Sequence, residues 1–213
     1  MFSDLVKIVG FVKGSIVALS KLKSIKERED ALIEMLKIYF LLLDVREDGH
    51  KLLEMVDRNP MEFIRSLNKE DIGAYISVWD KVLRKQGMRL YTVQQYLSDQ
   101  SYLFVLNPDA VRSIKDVIGY KMNSVVSLHE IGANLTLRNA FRFEESPETI
   151  AGLVNKVLTK NSEGVIDKNF VQGELDQVKV ALDEFRSLID STMSKEEMLK
   201  LSSKARSETE ITW

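Results

Sequence analysis

The chain contains no cysteine, which removes disulfides, thiol nucleophiles and thiolate metal sites together. It has two histidines, His50 and His129, so little of its ionisable chemistry is poised near neutral pH. Its three prolines, Pro60, Pro108 and Pro147, stand far apart and leave long segments in which a helix meets no stop. There is no glycine-rich phosphate loop, because "GFVKGS" has neither the spacing nor the Gly-Lys-Ser/Thr ending. No long hydrophobic run occurs either. Lys7 and Lys13 break the N-terminal apolar stretch, which is too short and too charged to cross a bilayer and lacks the small-residue site of a cleaved leader. A cytoplasmic protein is therefore expected. A net charge of −2 argues against a general nucleic-acid binder, which carries a basic surplus. No cofactor or metal site is implied.

What is present is helical periodicity. The apolar fraction of 45% and charged fraction of 29% are those of a chain that builds an ordinary core, and no stretch alternates convincingly as a strand. Leu5, Ile8, Val9, Val12, Ile16 and Leu19 mark a helix over roughly residues 3 to 22. A second runs from about Lys26 to Arg58, stopped by Asn59 before Pro60. A short helix is expected after Pro60, then one over "EDIGAYISVWDKVLRKQ" that ends near Gly87. "MRLYTVQQYLSDQSYLFVL" suits helix or strand, and its helical neighbours favour helix. A second long helix starts at Asn107-Pro108 and another at Ser146-Pro147. Phe170, Leu175, Val178, Leu182, Phe185, Leu188 and Ile189 mark a helix over 166 to 190, and "SKEE" at 194 to 197 is a capping box. The expected fold is all-α: a single-domain bundle of six to eight helices over residues 1–206, with two long central helices and a mobile tail at 207–213 that ends in Trp213.

In the second helix a leucine-rich run breaks into Arg46, Glu47, Asp48, Gly49 and His50. At about 100° per residue, Ile38, Leu42, Val45, Gly49, Leu52 and Val56 share one face, so Gly49 lies in the apolar stripe. Arg46 and His50 border it near Tyr39, while Glu47 and Lys51 point away. A helical glycine costs roughly 1 kcal/mol relative to alanine, and a closely approaching neighbour is the natural compensation. The other long helix repeats the device, with Gly132 in the stripe of Val111, Ile114, Ile118, Val125, Leu128 and Leu135 and with His129 at its border. Gly49 and Gly132 are expected to mark close helix crossings, with His50 and His129 in polar pockets beside them.

Two catalytic patterns pass through this segment. Glu47-x-x-His50 has the carboxylate–imidazole spacing of helical di-iron sites, but His129 has Val126 where the second carboxylate would stand, so half the ligand set is missing. Arg46-x-x-x-His50 resembles the Arg and His pair of HEPN ribonucleases, small all-helical proteins of bacterial toxin and defence systems. Here three residues intervene, where that family usually has at least four. The resemblance implies that Arg46 and His50, paired across a dimer, would hold phosphate and activate a ribose hydroxyl.

Other features suggest contact surfaces. Gly10, Gly14 and Ala18 recur every fourth residue and form a smooth ridge suited to tight packing in a bundle, to self-association, or to a membrane surface. Trp79, Tyr91, Tyr96, Tyr102 and Phe104 concentrate aromatic area of the kind that anchors interfaces, next to the basic Arg84, Lys85 and Arg89. Five lysines and no acid between residues 5 and 26, against ten acids and five bases between 144 and 190, make the charge uneven. The sequence thus points to a helical protein-binding module of immunity, antitoxin, defence-subunit or regulatory type. It is expected to bind a protein partner, with homo-oligomers allowed. Its rivals are a HEPN-like nuclease and a membrane-associating effector acting through residues 2–23.

Overall fold

The computed structural model describes residues 2–55, 66–97, 100–109, 111–112 and 167–210. The short helix expected after Pro60, most of the helix expected from Asn107, the one expected from Ser146, and Gly132, His129 and Trp213 lie outside the described residues. The fold is all-α: six α-helices, with no strand among the described residues. They are α1 (Ser3–Ile16), α2 (Ile25–Met55), α3 (Lys69–Tyr96), α4 (Tyr102–Leu106), α5 (Lys168–Asp190) and α6 (Lys195–Ser207), with a 3-10 turn over Val17–Lys21 between α1 and α2.

Four helix starts follow from local chemistry. The side chains of Asn68, Ser101, Asp167 and Ser194 accept from backbone N–H groups of the first turns of α3, α4, α5 and α6, satisfying donors that have no partner within the helix. At Ser194 the reciprocal bond from Glu197 completes the capping box.

The 31-residue α2 is the centre of the bundle. Its buried residues, among them Ala31, Leu32, Ile33, Met35, Leu36, Ile38, Leu41, Leu42 and Val45, run nearly round its circumference, as a helix with neighbours on several sides requires. Helices α3, α4, α5 and α6 all pack on it, and α1 lies along α5. Leu5, Ile8, Val9, Val12 and Ile16 of α1 join Val171, Leu175, Val178, Leu182, Phe185 and Ile189 of α5 in the main core. The apolar groups of residues 2–23 are thus mostly turned inward, Val17 apart.

Three sequence expectations are corrected. The third helix does not end near Gly87 but continues to Tyr96. Leu83, Gln86, Leu90, Val93 and Leu97 keep the inward spacing across the glycine and are buried, which outweighs its propensity cost of about 1 kcal/mol. Phe170, expected inward, is 58% exposed, since Val171, one residue or 100° on, takes the core position. The chain also remains anchored beyond 206: Thr209 is buried and Glu208 is ion-paired with Lys37 of α2.

Candidate functional site

Around residues 44 to 50 of α2 four other helices converge: α5 on Arg46, α5 and the start of α1 on Gly49, α3 on Asp44 and Asp48, and α6 on Asp44. The Arg46 Nε donates to the main-chain carbonyl of Leu175 in α5 at 2.9 Å, and its Nη2 lies 3.9 Å from Asp176 Oδ1. Gly49 is buried beneath α1 and α5. A Cβ there would come within 2.7 Å of Phe2 Cζ and 2.8 Å of Leu175 Cδ2, closer than carbon atoms pack. The Phe2 ring is held there by its own backbone N–H, which donates to the buried Glu174 of α5 at 3.1 Å.

On the opposite flank, Asp44 and Asp48 face inward, one helical turn apart. Arg89 of α3 bridges them. Its Nη1 donates to Asp48 Oδ2, and its Nε stands 3.5 Å from Asp44 Oδ2, an ion-pair distance without hydrogen-bond geometry. Arg206 of α6 donates to the other oxygen of Asp44 at 2.8 Å and covers the Phe40 ring at 5.3 Å. Gln86 of α3 donates to the Val45 carbonyl at 3.2 Å. Further along α2, Glu34 accepts from the backbone N–H groups of Tyr102 and Leu103, at 3.0 and 3.4 Å. It thereby fixes α4, and burial pushes its carboxyl up to about 7.

His50 is half-buried at the border of this junction. Burial, and then the Arg46 guanidinium, hold its pKa below the ordinary imidazole value, so the ring is neutral at pH 7. An incoming phosphate would have to compete for Arg46 with the Leu175 carbonyl that its Nε already holds and with the nearby Asp176 carboxylate. Among the described residues no group of three or more His, Asp or Glu could hold a metal ion.

The interface candidates separate. Trp79 is buried with Leu52 and Leu83 in a satellite of the core. Arg89, expected on the surface, is drawn inside by the two aspartates. Tyr96 lies under the Lys37 ammonium at 5.0 Å, Tyr102 and Phe104 are half-buried against the main core, and Lys85 is half-buried. Arg84 and Tyr91 are exposed.

The ridge divides as well. Ala18 packs partly against the core. Gly10 and Gly14, expected to pack tightly, are exposed, and among the described residues nothing lies within 4 Å of a Cβ built on either. Only every third or fourth position of α1 faces α5, and Leu5, Ile8, Val9 and Val12 occupy those places. Gly14 and Ala18 instead line a surface groove of about 490 Å³ with Val17, Lys21, Leu106 and Pro108.

Sequence reasoning missed the inward turn of Asp44 and Asp48 and the roles of Glu34, Glu174 and Arg206. The aspartate pair left no decisive local signal, because carboxylates at i and i+4 between leucines read equally as a solvated flank. No family model, curated protein or solved structure matches this chain.

Proposed function

We propose that the chain is a non-catalytic, cytoplasmic helical module that binds protein, of immunity, antitoxin, defence-subunit or regulatory type. One observation carries this reading: Arg46, Gly49 and the two aspartates at the break in α2 are spent on holding helices together. Arg46 is bound to the α5 main chain, Gly49 is covered by Phe2 and Leu175, and Asp44 and Asp48 are paired with arginines of α3 and α6. What the molecule offers outward is mixed apolar and charged helix surface, the material of polar-rimmed protein contacts. In the membrane-effector alternative the apolar face of residues 2–23 would have to leave the core it now fills. Among the described residues no helix is long and apolar enough to cross a membrane.

The test is affinity capture from native cells, with bound masses read before and after nuclease treatment, on the unaltered chain and on His50→Gln. Protein partners that persist through nuclease and are kept by His50→Gln are the expected result. RNA cleavage by the purified chain that His50→Gln abolishes would instead establish the HEPN-like alternative and refute this reading.

A further inference from the structure

Two outward helix faces carry exposed apolar groups in surroundings of opposite charge. On α3, Tyr75, Trp79, Leu83, Gln86, Leu90, Val93 and Leu97 step by fours and threes along the inward side. The opposite side presents Val78, Lys81, Arg84, Met88 and Tyr91, all exposed. Residues 78 to 91 hold Lys81, Arg84, Lys85 and Arg89 against one acid, Asp80, and Arg89 is turned inside. On α5 the outward side presents Asp176, Val180, Asp183 and Glu184, with Lys179 beside them, again all exposed, and Val180 at 58%; the acids outnumber the base three to one. From residue 78 to 91 the α3 face is roughly 20 Å long, and the α5 stretch from 173 to 187 is about the same.

We infer that the basic face of α3 docks on the acidic face of α5 of a second copy of this chain. The inference rests on the protein-binding reading and names the partner. Val78, Met88 and Tyr91 pack beside Val180, while Lys81, Arg84 and Lys85 meet Asp176, Asp183 and Glu184. The α5 carboxylates already have cations nearby: Lys13 is 2.7 Å from Glu184, Lys179 pairs with Asp183, and Arg46 is 3.9 Å from Asp176. The Lys13 and Lys179 pairs are exposed and worth about 0–1 kcal/mol each, so a cationic face brought against Asp183 and Glu184 exchanges partners at little cost. The two faces cannot meet within one chain. Helix α5 covers α2 on the side of Arg46 and Gly49, whereas α3 covers the side of Asp48 and Leu52, roughly 110° away. The contact is therefore heterologous, and assembly proceeds past the dimer unless a ring closes it. Single-helix faces of this length bury on the order of 1,000 Å² in total, the lower end of specific interfaces. Association is accordingly weak and sensitive to salt.

Sedimentation velocity on the full chain from about 10 µM to about 1 mM, after nuclease treatment, tests this with two charge-reversed variants, Lys81→Glu/Lys85→Glu and Asp176→Lys/Asp183→Lys. The average mass of the unaltered chain rises with concentration and falls back in high salt. Each variant alone stays monomeric, and an equimolar mixture of the two recovers the association, because each reversed face then meets its complement on the other variant. Helical circular dichroism checks that both are folded. Should Asp176→Lys disturb Arg46, Asp183→Lys paired with Lys85→Glu makes the same comparison. A chain that stays monomeric throughout, variants that associate as well as the parent, or a mixture that does not recover overturns the inference. So does association of the untreated chain that nuclease removes, which would put nucleic acid on α3. If self-association fails while another protein is still captured, the second copy is the wrong partner and the protein-binding reading stands. If nothing is captured either, both fall.

Discussion

Gly49 trades helix propensity for proximity. Its missing side chain lets Phe2 and Leu175 close over α2, and dispersion across that contact offsets a backbone cost of about 1 kcal/mol. Gly10 and Gly14 have the same propensity cost and, among the described residues, no neighbour within reach of a Cβ. The two kinds of glycine should respond oppositely to alanine. Gly10→Ala and Gly14→Ala are expected to raise unfolding free energy by up to about 1 kcal/mol each. Gly49→Ala should lower it by about 1–2 kcal/mol, the overpacking cost less the propensity gain. Urea denaturation measures all three. The Phe2→Ala background is a control at the same site, since removing the ring should shrink the penalty at Gly49. A Gly49→Ala chain as stable as the parent would mean that α1 does not bear on α2 there.

At the scale of elements, the Asp44–Asp48–Arg89–Arg206 set ties α2, α3 and α6 together. Taking Arg89 away leaves Asp44 with Arg206 alone and the buried Asp48 with only the exposed Lys51 ammonium at 3.6 Å, so Arg89→Ala is expected to cost up to about 3–5 kcal/mol. Replacing both partners removes the orphaned charge as well. Asp48→Asn with Arg89→Met should therefore be less damaging than the two single costs added, and a thermodynamic cycle reads the difference. These same residues show how far sequence can be read. The stripe from Ile38 through Gly49 to Leu52 and the core spacing of α5 repeat every three or four residues, and the capping box at Ser194 is a local signature, so all three were legible. The inward turn of Asp44 and Asp48 was not. A carboxylate beside an apolar stripe reads as a solvated flank unless one knows that an arginine 41 residues later arrives there, and that is a tertiary fact. Arg46 carried a similar ambiguity: its spacing to His50 suggested chemistry, whereas the partner it found was a carbonyl on α5. Gly87 misled for the opposite reason, since a local stop signal was overridden by burial on both sides of it.

Across the whole molecule, two buried titrations oppose each other. Glu34 has a folded-state pKa of about 7, above the value of about 4.3 it has in an unfolded chain. The folded form then binds more protons between those values, and its stability falls as pH rises through that window. His50 is depressed, chiefly by burial, so the unfolded form binds more protons and stability is lost as pH falls below about 6.5. The two slopes partly cancel near neutrality, and single substitutions should separate them. Gln at position 34 can still accept from Tyr102 and Leu103 but carries no charge to desolvate. Glu34→Gln is therefore expected to raise stability at pH 8 by about 1–2 kcal/mol, a figure that allows for solvent screening of a carboxyl that is not fully enclosed. The gain should narrow as pH drops and vanish by about pH 4, where the native carboxyl is already protonated in both states. Urea midpoints taken between those limits for parent and variant check it. A constant gap at every pH would mean that packing, and not the charge on Glu34, governs how α4 is held. A penalty at pH 8 would mean that the ionised carboxylate is worth more to the Tyr102 and Leu103 N–H groups than its burial costs, reversing the sign assigned to this contact.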